Sequence, residues 1–253
     1  MSDILYDAAK NYSSLLDKGY HIVLGRKGRI YEINLRFDME DFFHLAGFQH
    51  LKDVTFPSQN RERIFKEIIS GNITIDMIKD SEFYEECDVE TRFTNLYRLE
   101  TMLDSSRVLF YINHNAYKKY TRIVADYLCR FIDLADEYYF FMIESKYPKI
   151  ENEYGGCSFF KKDKTDYCVG TAETKILLNE KITCIGTENE VITELYRNPN
   201  YKADEEWLCC MDVKVIQSVM GHKDIQTTLD IYAEVSEKKK LDVFEQLNEE
   251  DIL

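Results

Sequence analysis

The spacing of hydrophobic positions predicts helices in the first part of the chain and strands in the second. Residues 21–24 and 29–36 are two strand-like runs around a glycine-containing turn, which predicts a β-hairpin. Helices are expected to follow this hairpin. Within 89–103 apolar residues recur at spacings of three and four, as they do on one face of a helix. These residues are Phe93, Leu96, Leu99 and Leu103.

Aromatic and β-branched residues dominate several later runs, which are separated by Asp, Gly, Lys and Pro. The runs are 108–112, 123–132, 138–143, 157–160 and 175–178. Helices followed by a meander of strands are typical of an α+β domain. The expected fold class is therefore α+β, with helices packed on an antiparallel sheet, followed by a small helical appendage at the C-terminus.

A polar and irregular segment marks the expected domain boundary. It contains a turn signal, Asn-Pro-Asn, at 198–200. Beyond it the apolar residues recur at helical spacing, and a capping-box pattern occurs at 227–230. The expected organisation is a nuclease-like domain at 1–184, a linker at 185–210 and a helical tail at 211–253.

Composition and charge limit the partners that the chain can have. The formal net charge is −14, which opposes broad nonspecific binding to nucleic acid, because such binding depends on Lys and Arg displacing counterions. A basic surface must therefore be local, and basic residues do cluster at 26–29, 61–66, 118–122 and 161–164. The sequence has no long apolar stretch and no signal-peptide pattern. We expect a cytoplasmic protein with no membrane partner.

The sequence also predicts neither a metal nor a cofactor. The seven cysteines include no Cys-x-x-Cys pair, which argues against a disulfide framework and a cysteine-rich zinc site. His44 and His50 lie six residues apart with no obvious third ligand, so they do not make a zinc site by themselves. Glycine-rich phosphate loops and nucleophile elbows are missing from the sequence as well.

The segment 212–235 resembles the last part of a tyrosine recombinase of the phage-integrase type. Gly221 and His222 end one predicted helix, and Tyr232 lies on the next. The resemblance implies that Tyr232 occupies the nucleophile position and His222 the acid/base position beside it. Such chemistry suits these residue types, because a phenol can attack a phosphate while an imidazole assists proton transfer.

The same family requires two arginines that neutralise the phosphate oxygens, one of them in a His-x-x-Arg motif. None of the five histidines of this chain is followed by an arginine three residues later. We therefore expect His222 and Tyr232 to be inactive, with Tyr232 packed against the preceding helix and His222 serving only the turn. The tail is then a remnant of a recombinase or a helical hook that binds a partner.

Residues 1–184 resemble a phage-associated branch of the barnase, EndoU, colicin and RelE-like nucleases. The resemblance rests on Phe-Phe-His-Leu-Ala-Gly at 42–47, on the predicted helix that carries Arg92 and Leu99, and on Cys-Ser-Phe-Phe at 157–160. It implies helices packed on an antiparallel sheet. It further implies metal-independent cleavage of RNA by a toxin-like protein of phage or mobile-element origin.

This resemblance makes His44, His50, Arg92 and Ser158 the candidate catalytic residues. A histidine exchanges protons near neutral pH, and an arginine matches a phosphate with its fork of donors. Each candidate also has a structural alternative. Both histidines can be half-buried residues of the core, Arg92 can pair with the acidic run before it, and Ser158 can bond to a neighbouring strand.

Three functions agree with the sequence. The first is a metal-independent ribonuclease, whose partner is nucleic acid and RNA rather than DNA. The second is a noncatalytic acidic protein that inhibits a nucleic-acid-binding partner, for which the charge of −14 is the motivating feature. The third is a DNA-binding or recombination accessory that uses the tail. A protein partner would be bound through the acidic surface or the C-terminal helices.

Tyr232 is expected to form no covalent bond to DNA. Without the arginines, charge that develops on the phosphate is not neutralised, and a tyrosine of pKa about 10 is mostly un-ionised at neutral pH. A DNA substrate carrying a nick, which traps covalent intermediates, should give no adduct on a denaturing gel. An adduct that is present in the parent chain and lost in Tyr232→Phe would refute this expectation.

Overall fold

In a computed structural model that describes residues 3–119, 121–134 and 136–201, seven strands close into a β-barrel. Around the ring their order is β1, β2, β6, β5, β4, β3 and β7, and β7 pairs again with β1. The strands are β1 (Lys18–Arg26), β2 (Arg29–Arg36), β3 (Val108–Ile112), β4 (Tyr127–Asp133), β5 (Asp136–Glu144), β6 (Glu153–Lys161), β7 (Thr171–Thr183) and β8 (Val191–Arg197).

The helices of the described residues are short, and all but α1, which precedes β1, lie between strands in the sequence. They are α1 (Ile4–Ser13), α2 (Asp41–Leu45), α3 (Arg61–Ile69), α4 (Phe83–Glu86), α5 (Val89–Thr94), α6 (Arg98–Ser105) and α7 (His114–Tyr117). Asp3 caps α1, since its carboxylate accepts hydrogen bonds from the backbone N–H groups of Leu5 and Tyr6. Asn60 caps α3 in the same way through the N–H of Arg63.

The ring contains one parallel contact and is otherwise antiparallel. β2 and β6 run in the same direction and pair over only two positions, Asn34 with Glu153 and Leu35 with Tyr154. β1, by contrast, pairs along its length with β2 on one side and with β7 on the other. Because both edges of β1 are used, the early hairpin joins the later strands into a closed sheet.

The fold class predicted from the sequence is wrong. The hairpin was identified correctly, and the later runs do contain strands β3 to β7. The sheet is a closed barrel, however, and is not an open antiparallel sheet covered by helices. Periodicity indicates which residues form strands, but it carries no information about which distant strand an edge will join. The predicted helical appendage at 211–253 lies outside the described residues.

Part of the predicted linker belongs to the sheet. Residues Val191–Arg197 form β8, which pairs antiparallel with the second half of β7. The exposed side chains of this strand explain why the segment looked irregular, since it has no buried face to give it a hydrophobic pattern. Residues 202–210 lie outside the described part. The division into domain, linker and tail remains a prediction.

The helix predicted over 89–103 is two helices, α5 and α6, although its apolar stripe is fully buried as expected. Asn95 separates them. Its side-chain amide donates to the carbonyl of Thr91, and its side-chain oxygen accepts from Arg98 and from the hydroxyl of Tyr138. A side chain that binds the backbone and its neighbours in this way competes with continuous helix.

One large hydrophobic core joins the helices to the barrel. All seven strands of the ring contribute buried side chains to it, together with α1, α2, α3, α5 and α6. In a closed sheet only the inner face can bring side chains from every strand together, so this core fills the barrel. A smaller core lies on the other face of β3 to β6, where Leu128, Phe141 and Phe160 pack with Tyr117. None of the helices in the described part of the chain has the length and apolar content to cross a bilayer.

Close packing of α2 on β6 sets the position of the helix that carries His44. An added Cβ at Gly156 would lie 2.8 Å from Cε2 of Phe140 and 3.2 Å from Cδ2 of Leu45. The first distance is shorter than real Cβ atoms show, and the second is tighter than most real Cβ contacts. Glycine at this position therefore lets α2 approach the sheet closely.

Gly156→Ala should lower the free energy of unfolding by about 1–3 kcal/mol, the usual cost of inserting an extra carbon into a packed core. Urea unfolding of the full chain measures it. Gly155→Ala is the matched control, because its Cβ would meet only the Asp41 carboxylate oxygens at an ordinary 3.7 Å. Equal stability of the two variants would contradict the proposed close approach.

Candidate active site

Gly47 forms the turn that follows the helix of His44 and brings His50 close to Arg92. α2 ends at Leu45, and Gly47 follows with a φ of 82°, in the left-handed region that glycine adopts without strain. A single 3-10 turn from Phe48 to His50 comes directly after it. The chain therefore reverses between His44 and His50.

Arg92 of α5 lies against this turn. A Cβ at Gly47 would be 2.7 Å from Cδ of Arg92 and 3.7 Å from Cδ2 of His50, so both side chains pack over the glycine. The missing Cβ is thus a requirement of the arrangement. We call His44, His50 and Arg92 the histidine–arginine cluster.

The pKa of His44 is lowered from its ordinary value of 6.5. Partial burial is the main cause, and the positive charges of Arg61 and of a protonated His50 act in the same direction. The ring of His44 also meets the ring of Phe43 edge to face, with 5.9 Å between the centroids. His44 is therefore a neutral imidazole at neutral pH, which is the form that accepts a proton.

The pKa of His50 is lowered as well, first by burial and then by the charges of Arg92 and Lys52. Nε2 of Gln49 lies 3.2 Å from Nε2 of His50 and 3.4 Å from the carbonyl oxygen of His44. With the amide nitrogen as donor, Nε2 of His50 accepts and Nδ1 carries the proton. Gln49 thus connects the two histidines.

Arg92 is half-buried and is held by backbone and aromatic groups. Its Nε donates to the carbonyl of Cys87 at 3.0 Å, its Nη1 is 3.5 Å from the carbonyl of Phe159, and its guanidinium lies 5.0 Å from the centroid of the Phe160 ring. Burial lowers its pKa, but an arginine remains charged. Within the described ranges no carboxylate forms an ion pair with it, so the pairing with the preceding acidic run is not found.

Ser158 does not join the cluster. It is buried on β6 and pairs in register with Phe141, which places it on the face of the smaller core. Phe159, next to it, points to the main core. No hydrogen bond links Ser158 to His44, His50 or Arg92 in the part of the chain that the structure describes.

Asp41 is a further titratable group on α2. Burial raises its pKa to about 7, although the backbone N–H of Asp38 donates to its carboxylate and opposes the shift. Asp41 begins the helix that carries His44. Asp41 is therefore a carboxylic acid that titrates near neutral pH, one helical turn from a candidate base. The sequence did not identify it, because the burial that raises its pKa comes from packing on β6.

Sequence reasoning missed two other groups of residues. His114 and Asp126 form a pair with 2.8 Å between Nε2 and Oδ1. Arg26, which the sequence placed only in a local basic cluster, lies between the rings of Tyr31 and Tyr111. The members of each group come from different elements or loops, and nothing in the linear sequence indicates that they meet.

The histidine–arginine cluster combines two imidazoles, whose pKa values are lowered, with a guanidinium that forms no ion pair among the described residues, although the charge of Asp88 acts on it. Such a set can move protons and bind a phosphate. Across the described residues, His, Cys, Asp and Glu form no group of three or more that could hold a metal ion.

Comparison with known families gives one match. The model of the family described as phage-Barnase-EndoU-ColicinE5/D-RelE like nuclease4 matches residues 4–208, which is more than half of the chain. No curated protein and no solved structure matches the chain. The segment that resembles a recombinase lies outside both the family match and the described residues, so that resemblance remains a prediction.

Titration followed by NMR should give midpoints below 6.5 for the imidazoles of both His44 and His50. Removing a nearby positive charge should raise a lowered pKa, and the two arginines act on different histidines. Arg92→Gln should therefore raise the pKa of His50, and Arg61→Gln that of His44. Each variant is the control for the other. Midpoints at or above 6.5, or an equal response of both histidines to either variant, would contradict this electrostatic description.

Proposed function

Because the chain belongs to the phage-Barnase-EndoU-ColicinE5/D-RelE like nuclease4 family, we propose that it cleaves RNA at the histidine–arginine cluster. The observation that carries the proposal is the Gly47 turn, over which the side chains of Arg92 and His50 pack together, and which follows the helix that carries His44. This arrangement supplies a base, an acid and a phosphate-binding cation at one place.

RNA is the substrate that these groups suit best. Its 2′-hydroxyl is a nucleophile already attached beside the scissile phosphate, so side chains that only transfer protons and neutralise charge are sufficient. DNA lacks this hydroxyl and would require a separately activated nucleophile. The proposal therefore favours RNA over DNA.

In the proposed reaction His44 takes the proton of the 2′-hydroxyl as its oxygen attacks phosphorus. The bond from phosphorus to the 5′-oxygen breaks, and the leaving oxygen takes a proton from the protonated form of His50. The lowered pKa of His50 makes this the minor form at neutral pH. The products are a 2′,3′-cyclic phosphate and a free 5′-hydroxyl. Arg92 binds the non-bridging oxygens, on which negative charge grows in the transition state.

The charge pattern supports the role of Arg92. The chain has 46 acidic and 32 basic residues, and many of its cations form ion pairs. Arg92 instead stacks on Phe160, so no carboxylate has to be displaced before a phosphate binds. Ser158 has a supporting role in this proposal, since it is buried on the strand beneath Phe160 and does not reach the substrate.

His44→Ala should reduce cleavage of labelled RNA by about 2–4 orders of magnitude, as removal of a general acid or base usually does. Product formation by the full chain is measured at equal folded fraction, confirmed by circular dichroism. Chelator should leave the rate unchanged. The same RNA with a 2′-deoxy sugar at the cleaved position should not be cut.

His21→Ala is the matched control for this experiment. His21 lies on β1, where it pairs with Glu180 at 2.9 Å and lies outside the cluster, so its loss should leave the rate near that of the parent. Equal rates for His44→Ala and the parent would rule out His44 as the base. Loss of activity with chelator would point instead to a metal-dependent nuclease.

A further inference from the structure

Arg26 is held between aromatic rings at the end of β1. Its guanidinium carbon lies 3.5 Å from the ring centroid of Tyr111 and 4.7 Å from that of Tyr31. Its Nε is buried and has no hydrogen-bond partner, and no carboxylate forms an ion pair with it among the residues described. A buried donor that is left unsatisfied costs free energy, so Arg26 is placed to receive an acceptor from a ligand.

Several cations on the strands have carboxylate partners: Lys18 binds Glu100 at 2.9 Å, and Arg130 binds Glu137 at 2.6 Å. Arg36, like Arg26, has a buried guanidinium nitrogen without a hydrogen-bond partner. Arg26 shares with Arg92 the combination of partial burial, an aromatic neighbour and no ion pair among the residues described.

Further tyrosine rings extend from Arg26 across the barrel. The ring of Tyr111 meets that of Tyr127 at a centroid distance of 5.8 Å, and Tyr127 meets Tyr154 at 5.7 Å. We call Arg26, Tyr31, Tyr111, Tyr127 and Tyr154 the arginine–tyrosine cluster. Tyr31, Tyr111 and Tyr154 are half-buried, so part of each ring is open to solvent.

The cluster carries little negative charge of its own. Burial raises the pKa of Tyr127 to about 12 and that of Tyr154 still further, so both hydroxyls stay protonated. Two carboxylates, Asp126 and Glu144, act on these tyrosines. Asp126 is already occupied, since it accepts from Nε2 of His114 and from the backbone N–H of Glu144, each at 2.8 Å. A phosphate approaching Arg26 therefore meets mainly neutral rings.

A cation beside partly exposed aromatic faces is the combination that binds single-stranded nucleic acid. Unpaired bases stack on tyrosine rings, and an arginine binds the adjoining phosphate. In a duplex the base faces are already stacked on one another, so they are not available to such a site.

The two clusters lie along the same strand. Tyr154 is near the start of β6, and Phe159, whose carbonyl contacts Arg92, is near its end. At about 3.3 Å per residue the two positions are roughly 16 Å apart along the strand. Tyr154 packs against the main core, whereas Phe160, which lies under Arg92, belongs to the smaller core on the other face, so the two clusters are separate sites on opposite faces of β6.

We propose that the arginine–tyrosine cluster is a second subsite that binds a base and a phosphate of single-stranded RNA, away from the phosphate that is cleaved. The inference rests on the proposed function, because it names the form of RNA that the nuclease selects. It assigns no catalytic step to Arg26.

The test measures binding independently of cleavage. The full chain carrying His44→Ala is titrated with a short fluorescein-labelled single-stranded RNA, and fluorescence anisotropy gives Kd. Tyr31→Leu or Tyr111→Leu should raise Kd by about 5- to 150-fold, the range expected for loss of one stacked base. Arg26→Gln should weaken binding and reduce the slope of log Kd against log salt by about one, as the loss of one phosphate contact does.

Two variants provide matched controls. Arg29→Gln removes an exposed arginine three residues from Arg26 and should leave Kd within about twofold, since exposed charges contribute little. Tyr31→Phe keeps the ring, so it should retain binding that Tyr31→Leu loses. Thermal melting confirms that each variant is folded. If Tyr111→Leu does not fold, Tyr31→Leu, also at a half-buried position, provides the measurement of stacking.

The subsite would be overturned if Arg26→Gln and a folded Tyr31→Leu both left Kd unchanged. It would also be overturned if unlabelled duplex RNA displaced the labelled RNA as well as unlabelled single-stranded RNA does. Equal losses in Arg26→Gln and Arg29→Gln would also overturn it, because they would indicate general electrostatic attraction. The two proposals fail separately. If the parent chain cleaves RNA but the Arg26 variants bind normally, only the subsite fails; if it binds through Arg26 but cleaves nothing, only the nuclease activity fails.

Discussion

The structure depends on β1, whose two edges are both paired. Its backbone N–H and C=O groups bond to β2 on one side and to β7 on the other. Residues near the start of the chain therefore pair with a strand that lies more than a hundred residues further along the sequence. Without that second pairing the sheet would be open, and the inner faces of seven strands could not share one core. Both clusters are built on this ring, one at the end of β1 and the other where α2 and α5 lie beside β6.

Packing, rather than hydrogen bonding alone, places the proposed catalytic groups. α2 has only five residues and could not persist by itself, since isolated short helices are unstable in water. Its contact with β6 at Gly156 and the burial of Phe42 and Leu45 fix it on the sheet. The same burial lowers the pKa of His44 and raises that of Asp41, so the helix that positions these groups also sets their protonation.

The local features were those that the sequence could predict. The early hairpin, the strand runs and the buried stripe from Phe93 to Leu103 follow from periodicity, and the short helix with His44 after the hairpin is where the resemblance implied. Barrel closure could not be predicted, because it depends on pairing between strands that are distant in sequence. His50 and Arg92 were named as candidates, but their packing over one glycine could not be predicted, since it requires the left-handed turn at Gly47. Tyr31, Tyr111 and Tyr154 look like ordinary strand residues until the fold brings them beside Arg26.

The short parallel contact between β2 and β6 gives the ring an uneven resistance to opening. Only two residue pairs hold this junction, as is also true between β3 and β4, whereas β1 and β7 pair over most of the length of β1. Local opening in proteins begins where the fewest bonds must break, so the barrel should open first at one of these two junctions. Tyr31 and Tyr154 lie on the two sides of the β2–β6 junction. Fluctuations at the β2–β6 junction would change the distance between these rings, while the long pairing of β1 with β7 stays intact.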